Sequence, residues 1–283
     1  FFLKRLAQTI FVLIGVSLIV FFFVHLTPGD PIQLMMGEAA GVSQAEIEHL
    51  RHQYGLDRPL PLQYLYFMGR ALQGDFGISF IHQRPALEVI RDYLPATIEL
   101  TLTAMLLALI IAIPLGMLSA IRPHGVLDSG FTLSSLLGIS IPGFLLGILL
   151  ILLFGMTLEW LPISGRIDYG IELKTITGYY MLDSLLTLNL SALISALKHL
   201  LMPAIALGAW TAAVTLRMTR TSMLEVLQQD YILFARAKGL SETAVALRHA
   251  LKNALIPVVS VVGLQFGALL GGNMIIETVF GWP

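Results

Sequence analysis

The chain has 283 residues, of which 56% are hydrophobic and 12% charged, with 17 Lys and Arg against 18 Asp and Glu; its mean hydropathy is +0.81. Soluble proteins carry roughly 25% charged residues, so the polar surface is too small to wrap a water-soluble core of this size, and lipid must face part of the chain. The net charge of −1 comes with no basic face for nucleic acid, and the lack of cysteine excludes a disulfide framework, a thiol nucleophile and a cysteine-type zinc site.

A helix that crosses about 30 Å of hydrocarbon needs about 20 mostly apolar residues. Residues 6–26 meet that length behind Lys4 and Arg5. The run is too long for a secretory signal and lacks a small-x-small cleavage site, so it predicts a retained membrane helix. Residues 97–120 predict a second span, and 131–158 a third with Pro142 and Gly143 inside it. A short fourth, 200–216, holds Pro203; a fifth, 257–279, is rich in glycine at Gly263, Gly267, Gly271 and Gly272. The apolar run 185–197 is too short to span and predicts an interfacial or external helix.

Basic residues set the orientation. Lys4 and Arg5, then Arg122, then Arg217, Arg220, Arg236, Lys238, Arg248 and Lys252 all fall on one side if the spans alternate. That side is expected to be the cytoplasm, with the N-terminus on it. The expected organisation is a first membrane helix at 1–26, an external segment at 27–94, and a core domain at 95–283 with cytoplasmic helices at about 224–256. Because the chain opens on Phe1 and stops at Gly281-Trp282-Pro283 after five spans, further residues are expected before it and a sixth span after it.

The cytoplasmic stretch 217–257 reads as two short helices joined at an angle. The first is expected from about Leu224, with Arg236 and Lys238 in its last turn and Gly239 closing it. The second is expected to start on Ser241 as N-cap, with Glu242 in its positive first turn. Such an elbow is a shape that a partner can grip, and a basic topology-setting loop is the plainer alternative. Arg217 and Arg220 read either as coupling residues or as anchors that snorkel to the membrane edge, with the anchor as the default.

Thr211, Gln265 and Asn273 are polar groups at membrane depth. They either bond neighbouring helices or line a substrate path. Glu46, His49 and His52 share helical spacing, but in a polar external stretch a solvated face is the default and no metal site is expected. Gly74-Asp75-Phe76-Gly77 lacks the Lys-Ser/Thr of a phosphate loop, so the chain is not expected to hydrolyse ATP. No His-Glu-x-x-His or Gly-x-Ser-x-Gly occurs, and no catalytic residue is expected.

Several segments together resemble the permeases of ATP-driven peptide/nickel importers. They are Arg217-Met218-Thr219-Arg220, Ala235-Arg236-Ala237-Lys238-Gly239-Leu240-Ser241-Glu242 and Arg248-His249-Ala250-Leu251-Lys252-Asn253. Thr27-Pro28-Gly29-Asp30-Pro31, Gly74-Asp75-Phe76-Gly77, Trp160-Leu161-Pro162-Ile163-Ser164-Gly165-Arg166 and Glu277-Thr278-Val279-Phe280-Gly281-Trp282-Pro283 continue the likeness along nearly the whole chain. It departs from the wider importer superfamily at Leu233, where a glutamate is common, and in the late position of Pro257. Both features suit the peptide branch.

The resemblance implies an all-α integral membrane protein of the type I importer class in the bacterial inner membrane. In that class Ala235 to Glu242 would couple to a cytoplasmic ATPase. It implies a homologous second permease, two ATPase subunits that bind ATP and magnesium, an external binding protein, and no cofactor on this chain. Di- or oligopeptides are the expected cargo, with chelated nickel or glutathione as alternatives. The rival from another class is an ion-coupled secondary transporter, which needs ionisable groups near the midplane; here Glu99 and Glu277 stand near span ends.

Overall fold

The computed structural model describes residues 2–26, 52, 56–79, 81–271 and 274–283. Among them the regular structure is helical apart from one bridge between Ile78 and Pro85. The chain divides between Asp92 and Tyr93 into two units. Among the described residues four helices are long and apolar enough to cross a membrane, or five if one bent pair counts as a single span.

In the first unit, α1 (Phe2–Leu26) and α2 (Leu60–Leu72) pack through their polar and aromatic side chains. Ser17 Oγ lies 2.8 Å from the Tyr64 hydroxyl, His25 Nε2 lies 3.0 Å from Gln63 Oε1, and the Phe21 ring meets that of Tyr64 edge-on. Beyond α2, Gly74 and Gly77 take positive φ, and Asp75 accepts from Arg70 Nε and from the Gly77 N–H. This is a closed turn around its own carboxylate rather than a phosphate cradle.

The second unit is built on α3 (Ala86–Ile121) from Tyr93 onward, and on α7 (Leu190–Leu227). At 36 and 38 residues they are about 54 and 57 Å long, well past the thickness of the hydrocarbon. Both exceed the apolar runs that announced them. The run 185–197 is not a separate helix: the Asn189 side chain accepts from the Ala192 N–H and starts α7 at Leu190. Leu185 and Leu186 close the short α6 (Tyr180–Leu186) instead.

Close approach of α3 and α7 follows from a stripe on α3 in which Ala96, Leu100, Ala104, Ala108, Ala112, Gly116 and Ala120 recur every fourth residue and are all buried. A Cβ on Gly208 would sit 2.7 Å from the Ala104 carbonyl oxygen, and one on Gly116 would sit 2.7 Å from that of Leu216. Low numbers meet low and high meet high, so the two helices run parallel.

The expected third span is broken. α4 (Val126–Ser140) and α5 (Gly143–Thr157) meet at 103°. Ile141 is extended at φ −86°, ψ 121°, as a residue before proline tends to be, and Pro142 opens the next helix. The last seven residues of α5, Ile151–Thr157, are π-helical.

The expected fifth span is also corrected. Its helix, α9 (Glu242–Leu270), begins at the elbow, includes a π-helical segment at Val245–Ala250, and ends before the separate short α10 (Met274–Val279). Gly263 and Gly267 are exposed, with nothing within 4 Å of the Cβ position, so they bring no other helix close among the described residues.

Candidate functional site

The elbow lies between α7 and α9. The first arm is α8 (Asp230–Ala237), because α7 continues through Leu224 to Leu227 and the chain turns at Gln228 and Gln229. Gln229 is extended, and Asp230 sits in the positive first turn of α8. Lys238 caps the arm, and Gly239 at φ +80° makes the left-handed turn that lets the chain reverse. Ser241 Oγ accepts from the Ala244 N–H at 3.4 Å and starts α9. Arg236 donates from Nε and Nη2 to the two oxygens of Glu242 at 2.9 and 3.0 Å, tying one arm to the other.

One face of the elbow is locked. Ile232, Ala235, Val245, Ala246 and Ala250 are buried with Ala120 and Met223, the ends of α3 and α7. Asn253 Nδ2 donates to the Tyr231 hydroxyl at 2.7 Å, a second tie between α8 and α9. The other face is open: Phe234 is 62% exposed, and Leu233, Leu240, Lys238, Gly239 and Ser241 are exposed beside it. Lys238 Nζ stands 4.5 Å over the Phe234 ring.

Two turns back along α7, Arg220 is not a lone anchor. Its Nε and Nη2 donate to the two carboxylate oxygens of Asp128 at 2.6 and 2.8 Å. Asp128 also accepts from the Ser119 hydroxyl and from the His124 N–H. The carboxylate is 6% exposed and joins α3, the turn after it, α4 and α7. Arg217, by contrast, is exposed as an anchor would be.

A second buried pair sits at the other end of α3. Arg166 Nη2 donates to Glu99 Oε2 at 2.7 Å and to the Gly178 carbonyl at 2.9 Å, while Glu99 Oε1 accepts from the Met181 N–H. The guanidinium lies 3.7 Å over the Tyr180 ring, and Trp282 Nε1 donates to the Ala96 carbonyl. The nearby Asp183 accepts from the N–H groups of Ile176, Thr177 and Gly178 and from the Thr177 hydroxyl. Burial pushes its carboxyl up, but these four donors outweigh burial and hold it below the ordinary value of 3.8.

Of the candidate path residues, Thr211 and Gln265 are both buried, and neither the hydroxyl nor the carboxamide makes a hydrogen bond among the described residues. Thr215 and Thr219 repeat this on the same face of α7. Asn273 lies outside the described residues, as do Gly272, the 27–31 motif, Glu46 and His49. His52 is exposed, 3.9 Å from Asp57. Sequence reasoning missed Asp128 and Asp183, whose one local signal is charge in a chain with little of it, and it met Arg166 only as the end of a motif, without its partner Glu99.

These features define a polytopic helical membrane protein with an open elbow at one end and a charge pair with a buried carboxylate at both. Residues 112–283 match the family described as the inner membrane component of binding-protein-dependent transport systems, and residues 1–101 match the N-terminal membrane component of such systems. The chain belongs to this family.

Among its relatives is the di/tripeptide transport system permease protein DppB of Pseudomonas aeruginosa (strain UCBPP-PA14). It is 43% identical over 283 residues, covering 100% of this chain and 84% of the relative. The probable D,D-dipeptide transport system permease protein DdpB of Escherichia coli (strain K12) is 44% identical over 281 residues, covering 99% and 82%. The glutathione transport system permease protein GsiC of the same strain is 40% identical over 281 residues, with the same coverage.

Proposed function

We propose that the chain is a permease subunit of an ATP-driven importer of short peptides. It works beside a second, homologous permease, two cytoplasmic ATPases that hold the ATP and magnesium, and a binding protein outside. The N-terminus and the elbow face the cytoplasm, on the side where basic residues gather in short connections. The observation that carries the coupling role is the two-faced elbow, with Leu233, Phe234 and Leu240 exposed on one side and Ile232 and Ala235 sealed against α3 and α7 on the other. A partner that grips the open face moves the helices behind it. Ala235, Arg236, Ala237, Lys238, Gly239, Leu240, Ser241 and Glu242 form the gripped segment.

In the mechanism, ATP binding draws the two ATPases together and favours the state that faces outward; hydrolysis and release restore the other state. Thr211 and Gln265, with unspent hydrogen-bonding capacity in the interior, are the side chains assigned to the path, with Asn273 as a third. Short peptides as cargo follow from the relatives, named for di- and tripeptides, D,D-dipeptides and glutathione, itself a tripeptide.

Uptake of labelled dipeptides into proteoliposomes that hold the assembled transporter tests the reading. Uptake should need ATP and the binding protein, and Gly239→Pro should abolish it, because proline cannot adopt φ +80°. Uptake driven by an ion gradient without ATPases would remove the proposal.

A further inference from the structure

We propose that Asp128 and Arg220 form the positioning joint that makes α4 follow the elbow; the inference rests on the coupling reading above. The elbow side chains Ile232 and Ala235 share one buried cluster with Val245, Ala246 and Ala250 of α9, Met223 of α7 and Ala120 of α3, so a push on the elbow reaches the ends of both helices. Helix α4 has no side chain in that cluster. Among the described residues its polar tie to them at this end is the Asp128 carboxylate, which receives two hydrogen bonds from Arg220 on α7 and one each from Ser119 on α3 and the His124 N–H in the turn.

The pair is suited to carry force. Two parallel N–H to oxygen bonds fix orientation as well as distance, and the Asp128 carboxylate that receives them is only 6% exposed. Farther along, Gly138 of α4 stands against Ala213 of α7, where a Cβ would meet the Ala213 Cβ at 3.2 Å, so α4 lies along α7 from the joint upward. With the joint intact, α3, α4, α7 and the elbow move as one body, and the bend at Pro142 moves with them. With it broken, the elbow moves α7 while α4 lags, and ATP is spent without moving the bend.

The test is uptake per ATP hydrolysed in proteoliposomes that hold the full transporter, for Asp128→Asn, Arg220→Gln, their double variant and Arg220→Lys, with Gly239→Pro in parallel. Each neutralised variant should assemble, keep its ATPase activity and lose about tenfold in the ratio, an ordinary coupling between sites. The double variant should lose no more than either single, since one joint is broken once. Arg220→Lys, which keeps the charge and one hydrogen bond, should fall between, and it decides the matter if a neutralised variant does not assemble. Native ratios in Arg220→Gln and Arg220→Lys, with uptake lost in Gly239→Pro, overturn the joint and leave the elbow standing. Undiminished uptake in Gly239→Pro overturns the elbow and the joint together.

Discussion

Glu99 and Arg166 are 67 residues apart in sequence and meet at 2.7 Å with both side chains at least nine-tenths buried. The pair holds the loop after α5 against α3, and the Arg166 guanidinium stacks on Tyr180. Removing one member of such a pair leaves a charge with no partner in the interior, at a cost of about 3–5 kcal/mol. Glu99→Gln and Arg166→Met should each lower the unfolding midpoint in detergent strongly. The double variant should be less harmed than either single, because no orphan charge remains. Equal midpoints for all of them would mean that water already reaches the pair.

The close approach of α3 and α7 gives a second, sharper contrast. A methyl on Gly208 has no room, since the Ala104 carbonyl oxygen stands 2.7 Å away and is backbone. Gly208→Ala should therefore cost about 1–3 kcal/mol through overpacking. Gly267 has open space around it, and Gly267→Ala should leave the stability of this chain unchanged or slightly raised, since alanine favours helix. Thermal unfolding of the two variants side by side checks the difference.

Helix positions were legible in composition, whereas their ends and tertiary partners were not. Apolar runs mark where lipid is, but α7 begins ten residues before its predicted run because Asn189 caps it, a local hydrogen bond invisible to hydropathy. The Gly239 turn and the Ser241 cap were readable because each acts within a few residues. The third span read as continuous although Pro142 was in view, since proline also occurs within α3, α7 and α9 without breaking them. Asp128 and Arg220, 92 residues apart, share no local spacing, so only the fold brings them together.

Asp183 makes a prediction in pH. Its folded carboxyl ionises below 3.8, held there by four donors against the opposing effect of burial. A depressed carboxyl stabilises the fold above its unfolded value and loses that contribution as pH falls through the folded value. Stability should thus hold down to about pH 4 and decline below it. Asp183→Asn, with one acceptor oxygen and no charge, should lose about 1.5–3 kcal/mol near neutrality. It should also show a shallower acid decline than the native chain, measured by unfolding midpoints between pH 3 and 7. An identical acid slope in the variant would show that another carboxylate sets it.

The open face of the elbow carries the last prediction. Phe234 is 62% exposed, and its ring touches Lys238 rather than the core, so its replacement removes little that holds the chain together. Surface changes of this kind stay within about 0.5 kcal/mol of the native stability. The Arg236 to Glu242 pair is likewise solvent-facing and adds at most about 1 kcal/mol to the fold. Phe234→Asp should therefore leave insertion and unfolding unchanged while it abolishes association with the ATPases, read by co-purification of the assembled transporter. Ile232→Asp, on the sealed face, should instead destabilise the chain itself, because it buries a charge against Met223 and Val245. If Phe234→Asp assembles and transports like the native protein, the partner grips elsewhere, and the apolar face of α8 has to be accounted for by contact with lipid.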